Sequence, residues 1–143
     1  MAKLKTPAKL MDECAVLLQK IVRMKAAIHA GSPLIQCVTC GQVKHWKEMH
    51  GGHFIPRTYR AHKLLEENIH PQCPGCNTFR PERVADDYNQ YMREMYGHEF
   101  VEELTRTKRD ITKRTRAELE DIKSEFRARV KELESQCEEL EWV

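Results

Sequence analysis

Cys37-Val38-Thr39-Cys40-Gly41 and Cys73-Pro74-Gly75-Cys76-Asn77 are the two stretches that decide how this chain folds. Each C-x-x-C knuckle places two thiols on one side of a tight turn, and two knuckles complete a tetrahedral four-cysteine site. Such a site is closed, so the zinc it holds is structural. In a reducing compartment paired knuckles read as metal ligands rather than disulfides. The 32 residues between the knuckles exceed the ~15–20 of a simple zinc ribbon, so an element of hairpin size is inserted there.

That insert is rich in Gly, His and Pro and shows no helical period. It reads His45-Trp46-Lys47-Glu48-Met49-His50-Gly51-Gly52-His53-Phe54-Ile55-Pro56-Arg57, and later Asn68-Ile69-His70-Pro71-Gln72. Two short strands are expected, one near residues 52–55 and one near 68–70. So short a segment buries too little apolar surface to order itself, which is where a structural metal becomes necessary. A zinc ribbon needs none of these histidines and amides. Phosphodiester hydrolysis does need them: a general base to activate water, and a divalent cation to bind the phosphate and stabilise the leaving oxygen.

Outward from the insert the chain becomes helical. Thr6 caps a first helix with Pro7 at its first position, and Leu10, Cys14, Leu17, Leu18, Ile21 and Ile28 recur on one face until Gly31-Ser32-Pro33 ends it. After Pro81, Val84, Tyr88, Tyr91, Met92 and Met95 form an apolar stripe that stops at Gly97. A long charged helix is expected from about Glu99 to the end. Leu119, Phe126, Leu133 and Leu140 are spaced by sevens within it, which gives either a coiled-coil seam or a face packed on the chain's own first helix. Cys14 and Cys137, outside the knuckles, read as small apolar residues on helix faces.

Composition narrows the class. The net charge is +2 and the mean hydropathy −0.67 over 143 residues, room for one domain with extensions. No apolar run approaches the ~20 residues of a membrane span, and the first residues lack the apolar stretch of a secretory signal; a cytoplasmic location is expected, with no membrane partner. Residues 106–116 carry six basic groups against one acid, and residues 117–143 carry nine acids against four bases, two surfaces with different jobs. The expected fold is α+β and mostly helical, divided into a first helix at 1–32, a zinc-bound core at 33–97 and a charged C-terminal helix at 98–143.

The pattern C-x-x-C-G, G-G-H-F, N-I-H-P-Q-C-x-x-C-N resembles the HNH (ββα-metal) nuclease superfamily, and within it the phage NinG (Rap) recombination nucleases, with phage endonuclease VII more distant. The likeness covers roughly residues 34–97. It implies a zinc-stapled ββα-metal core with Cys37, Cys40, Cys73 and Cys76 on zinc and His53 as general base. Asn68 would join the two arms of the loop and orient that histidine. Asn77 would be a ligand of a catalytic Mg2+ or Mn2+. Many relatives carry a metal-binding Asp or His directly before the base, where this chain has Gly52. His50 is one candidate for the second ligand, and His62 and His70 are weaker ones. Arg57, Arg60 and Lys63 lie where phosphates would approach. The resemblance points to a DNA endonuclease acting on branched recombination intermediates in a phage context, with a homodimer through the C-terminal helix. The alternatives are a nicking enzyme of linear duplex, or a non-catalytic zinc-stabilised DNA-binding module.

Overall fold

The computed structural model describes residues 3–141. In chain order the elements are α1 (Pro7–Ala30), β1 (Leu34–Gln36), β2 (Val43–His45), β3 (His50–His53), β4 (Ile69–Gln72), α2 (Ala85–Tyr96), α3 (His98–Thr107) and α4 (Arg116–Glu141). The fold is α+β, mostly helical, with two small antiparallel sheets, β1–β2 and β3–β4.

α1 begins and ends as its sequence dictates. The Thr6 hydroxyl accepts from the Lys9 amide at 3.2 Å, and Gly31, at φ +67°, turns its own N–H back onto the carbonyls of Ala27 and Ile28. Most of its apolar stripe is covered: Leu10, Cys14, Leu18 and Ile21 have no exposed surface, while Leu17 and Ile28 are half-buried. Each such Leu or Ile contributes about 1.5–3 kcal/mol by burial.

β1 and β2, which the insert's texture did not announce, form a hairpin that carries the first knuckle in its turn, with Leu34 opposite His45 and Gln36 opposite Val43. Gly41, at φ +81°, makes that turn. β3 and β4 lie about two residues from the expected stretches, paired with His50 opposite Gln72, Gly52 opposite His70 and His53 opposite Ile69. The second knuckle follows β4 directly. One wide helical turn, Gly75–Phe79, holds Cys76 and Asn77.

The single long C-terminal helix is corrected. α3 stops at Thr107, and an irregular stretch precedes α4 at Arg116. The break is written in side chains that compete for backbone bonds. Thr115 and Glu118 form a capping box: the Glu118 amide donates to the Thr115 hydroxyl at 3.1 Å and the Thr115 amide to the Glu118 carboxylate at 3.3 Å. The last two positions of the expected helix, 142 and 143, lie outside the described residues.

α4 packs on α1 of the same chain, so the seven-residue seam is an intramolecular one. Leu119 meets Leu10 and Met11, and Phe126, Val130 and Cys137 join the main core with Leu18, Ile21 and Met24. The helices run parallel, because Cys14 reaches the Leu119 carbonyl and Cys137 reaches that of Met24. Ion pairs Glu13–Lys123 and Lys20–Glu134 flank the seam. Both cysteines outside the knuckles are thus buried on helix faces, as their sequence context implied. A second small core, Ile55, Tyr88, Met92, Val101 and Leu104, joins α2 and α3 to the loop after β3. Among the described residues no helix is long and apolar enough to cross a membrane.

Candidate functional site

The knuckles converge. The Sγ atoms of Cys37, Cys40, Cys73 and Cys76 all lie within 4.8 Å of one another, and those of Cys40 and Cys73 are 3.6 Å apart. Zn–S bonds of about 2.3 Å at tetrahedral angles require S···S separations of about 3.8 Å, so the cluster fits a zinc ion. The local chemistry favours thiolate at Cys37. Burial pushes that thiol up, but the Thr39 hydroxyl, 3.3 Å from the sulfur, and neighbouring backbone N–H groups outweigh it and bring it down to about 6. At Cys76 burial prevails and the thiol is pushed up to about 12. A bound cation is what allows both to ionise at one place.

Beside this cluster a cleft of about 1060 Å³ opens between α1 and the start of α2, lined by His50, His53, Arg57, Gln72, Asn77 and Tyr88 among others. His53, at the end of β3, places Nε2 2.9 Å from the Lys63 carbonyl. A carbonyl only accepts, so Nε2 carries the proton and Nδ1 keeps its lone pair. Burial holds His53 below the usual histidine range; the Lys63 carbonyl raises it, while the charges of Arg57 and Lys63 lower it further.

The loop that brings Lys63 to His53 is held by Asn68, which is fully buried. Its Oδ1 accepts from the Ile55 amide at 2.8 Å, and its Nδ2 donates to the carbonyls of Ile55 at 3.0 Å and His62 at 3.2 Å. The Asn68 side chain therefore bridges the loop's two arms, one of which continues into Lys63. Removing it orphans three backbone groups, each costing about 1–3 kcal/mol when left buried and unpaired.

Asn77 lies next to His50: its Nδ2 donates to His50 Nδ1 at 3.1 Å, leaving the carbonyl end of the amide as a hard oxygen donor. Burial and the nearby Arg23 guanidinium hold His50 below the usual range, and so neutral. The other two histidines are placed elsewhere. His62 donates to Thr107, whose own proton goes to the Glu103 carbonyl, so it ties the loop to α3. His70 sits in a cage of Tyr88, Tyr91 and Tyr96.

That cage is connected to the cleft. Tyr88 donates to the Gly52 carbonyl at 2.6 Å, so its oxygen can only accept from His70 Nδ1, 3.3 Å away. His70 Nε2 then accepts from the Tyr96 hydroxyl at 2.8 Å. The chain Tyr96–His70–Tyr88–Gly52 fixes the peptide just before His53. Sequence reading gave Tyr88 only as core. It also passed over Arg23, whose guanidinium donates to the Met49 carbonyl at 3.0 Å and braces the turn into β3.

Of the basic residues expected to meet phosphate, Arg57 lines the cleft and Arg60 is exposed. Lys63 is ion-paired with Asp12, its side chain only 11% exposed. Lys108 and Arg109, from the break between α3 and α4, lie over the ring of Tyr59 at 5.1 and 5.7 Å. Tyr59 lies between Arg57 and Arg60 in the chain.

These features define a small α+β protein in which a four-cysteine cluster fit for a metal clamps the strands beside a cleft of histidine and amide side chains. The chain belongs to the NinG family: the family model described as Bacteriophage Lambda NinG protein matches residues 1–138. No curated protein and no solved structure matches it.

Proposed function

We propose that this protein is a metal-dependent DNA endonuclease of the HNH type, with β3, β4 and the turn bearing Asn77 as its ββα unit. The observation that carries the reading is the pinned tautomer of His53. A half-buried, neutral imidazole whose Nε2–H is held by a backbone carbonyl keeps Nδ1 as a ready general base. His53 takes the proton of a water, whose oxygen attacks phosphorus as the bond to the 3′ oxygen breaks; that oxygen takes a proton from solvent, leaving 5′-phosphate and 3′-hydroxyl ends. Asn77, through its carbonyl oxygen, is the residue that would hold a Mg2+ or Mn2+, with His50 a candidate second ligand once its Nδ1 releases the Asn77 amide; the ion when bound offsets charge on the phosphate and the departing oxygen. Asn68 keeps the Lys63 carbonyl in register with the base. Arg57 and Arg60, continued by Lys108 and Arg109, supply phosphate contacts that carry no sequence information.

A surface of this kind, with no element among the described residues built to enter a groove and read base edges, favours recognition by DNA shape. Family membership in a phage group fits branched recombination intermediates, four-way junctions or D-loops, in the host cytoplasm. The test is cleavage of a four-way junction and its matched linear duplex with Mg2+ or Mn2+, comparing wild type with His53→Ala and measuring zinc in both. Metal-dependent, junction-selective cutting lost only in the variant is the expected result. Equal cutting of linear duplex would point to a nicking enzyme.

A second reading is favoured by Gly52, which offers no acid beside the base. On that reading the protein is a zinc-stabilised DNA-binding module, and zinc-loaded wild type binds the junction without cutting it. Because the apolar seam of α4 is already covered by α1, a homodimer bringing two sites to two strands would join through another surface. Light scattering at micromolar concentration measures this, and a monomer mass removes the dimer.

A further inference from the structure

We infer that Gln72 supplies a cation ligand in the cleft, its carboxamide oxygen standing in the space that the missing side chain of Gly52 leaves open. The inference rests on the nuclease reading above. It begins with a collision: a Cβ built on Gly52 would lie 1.9 Å from Gln72 Oε1 and 2.7 Å from its carboxamide carbon. The oxygen therefore occupies the place of a residue-52 side chain.

Hydrogen bonding decides which end of the amide points there. Gln72 Nε2 is 3.1 Å from Thr39 Oγ1, and Thr39 lies 3.3 Å from Cys37 Sγ. With the Thr39 proton directed to the thiolate, its oxygen accepts from the Gln72 amide, and the opposite end, Oε1, is turned toward Gly52. The knuckle thus acts as the anchor that aims the amide.

The surroundings are those of a donor set. Gln72 is directly opposite His50 in the β3–β4 ladder, so the two side chains leave the same face of the sheet. His50 in turn is bonded to Asn77, and all three line the cleft. The carboxamide oxygens of Gln72 and Asn77 are donors that Mg2+ and Mn2+ accept, while His50, whose Nδ1 lone pair is taken by the Asn77 amide, orients Asn77. Being uncharged, the two amides leave room for the negative charge of a phosphate on the same ion. Glycine at position 52 is then a requirement of the site: any side chain there displaces the ligand.

The experiment measures Mn2+ bound to zinc-loaded protein by electron paramagnetic resonance, and the Mn2+ concentration giving half-maximal junction cleavage. The proteins are wild type, Gln72→Leu, Gln72→Glu, Gly52→Ala and Asn77→Ala, with zinc content and circular dichroism as fold controls. Gln72→Leu and Gly52→Ala should each raise the Mn2+ requirement by tenfold or more while zinc is retained. Gln72→Glu, which loses the donor to Thr39 but presents a charged oxygen, should lower it. If Gln72→Leu and Gln72→Glu leave both readouts at wild-type values while Asn77→Ala shifts them, Gln72 is not a ligand and the nuclease reading stands. If Gln72→Leu and Gln72→Glu weaken Mn2+ alike, the amide acts only through its bond to Thr39 and the inference falls. Wild type that neither binds a second metal nor cuts any substrate removes the nuclease reading, and this inference with it.

Discussion

His53 and His70 are both held neutral by burial, but protonating them has different consequences. For His53 the quantity at stake is activity. On the proposed nuclease reading it acts as a base only when unprotonated, so the rate would be lost as pH falls through its folded value. Since that value lies below the ordinary 6.5, the acid limb of the cleavage profile is expected below pH 6.5. Arg57→Gln should move the limb upward, because the Arg57 charge is one of the causes of the depression. For His70 the quantity is stability. Burial brings it down to about 4, so between pH 6.5 and 4 the unfolded chain binds a proton that the folded chain refuses. Stability is complete above 6.5 and declines by about 3 kcal/mol as pH falls to 4. Urea midpoints across that window measure it, and His70→Gln should flatten the dependence while costing about 1–3 kcal/mol at neutral pH through lost buried bonds. At this scale the sequence showed Asn68, His50 and Asn77 as polar residues that a simple ribbon would not need. It could not show Gln72 or Tyr88. Their partners, Gly52 and Thr39 for one, Gly52 and His70 for the other, are set by strand register and by helix packing rather than by neighbours in the chain.

The elements differ in what holds them. β1, β2, β3 and β4 are three or four residues each, far too short to persist alone, and the cysteine cluster ties the two hairpins together. Structural zinc contributes about 10–16 kcal/mol at neutral pH, comparable with or larger than the whole stability of a small domain. Chelation, or Cys73→Ser, should therefore abolish the cooperative thermal transition and release the metal. Cys14→Ser, in the α1–α4 interface, should leave zinc content at wild-type stoichiometry. The helices depend instead on caps and apolar stripes. Thr115→Ala removes the capping box of α4 and should cost about 1 kcal/mol, read as a lower urea midpoint. The stripes of α1 and α2 were legible because their period is long and their ends are marked by Pro7, Gly31 and Gly97. The break before α4 was legible too, in Thr115-Arg116-Ala117-Glu118, but the heptad spacing beyond it drew the reading toward one continuous helix. β1 and β2 had no signal of their own; three residues are not enough to establish a period.

At the scale of the molecule, the acidic and basic stretches meet different partners. The acidic α4 lies along α1, where Glu13, Glu134 and Glu66 meet Lys123, Lys20, Lys25 and Arg129. The break before it carries Lys108 and Arg109 to Tyr59, on the loop that also bears Arg57 and Arg60. If these four cations meet phosphates, junction affinity should fall linearly in log–log plots against salt. Lys108→Ala and Arg109→Ala together should reduce the slope by about two and weaken all DNA forms alike. A slope unchanged in the double variant would place the DNA elsewhere. The seam of α4 was visible as a spacing of sevens, but an intramolecular partner and a second copy satisfy the same spacing. Contacts such as those of Cys14 with Leu119 and Cys137 with Met24, more than a hundred residues apart in sequence, place the seam within the chain.

That pairing of the first helix with the last has a consequence for how the chain is made. During synthesis α1 precedes α4 by some hundred residues, and the part of its apolar face that α4 covers stays open until α4 is made. The cysteine cluster is complete at Cys76, well before α4 exists, so metal capture can order the middle while the outer layer is still being synthesised. Closing so long a loop is slow when nothing precedes it, but a centre already locked by a metal on its four cysteines would shorten the search. The ion's second service is then to time: it lets a small chain with distant partners assemble from the inside out.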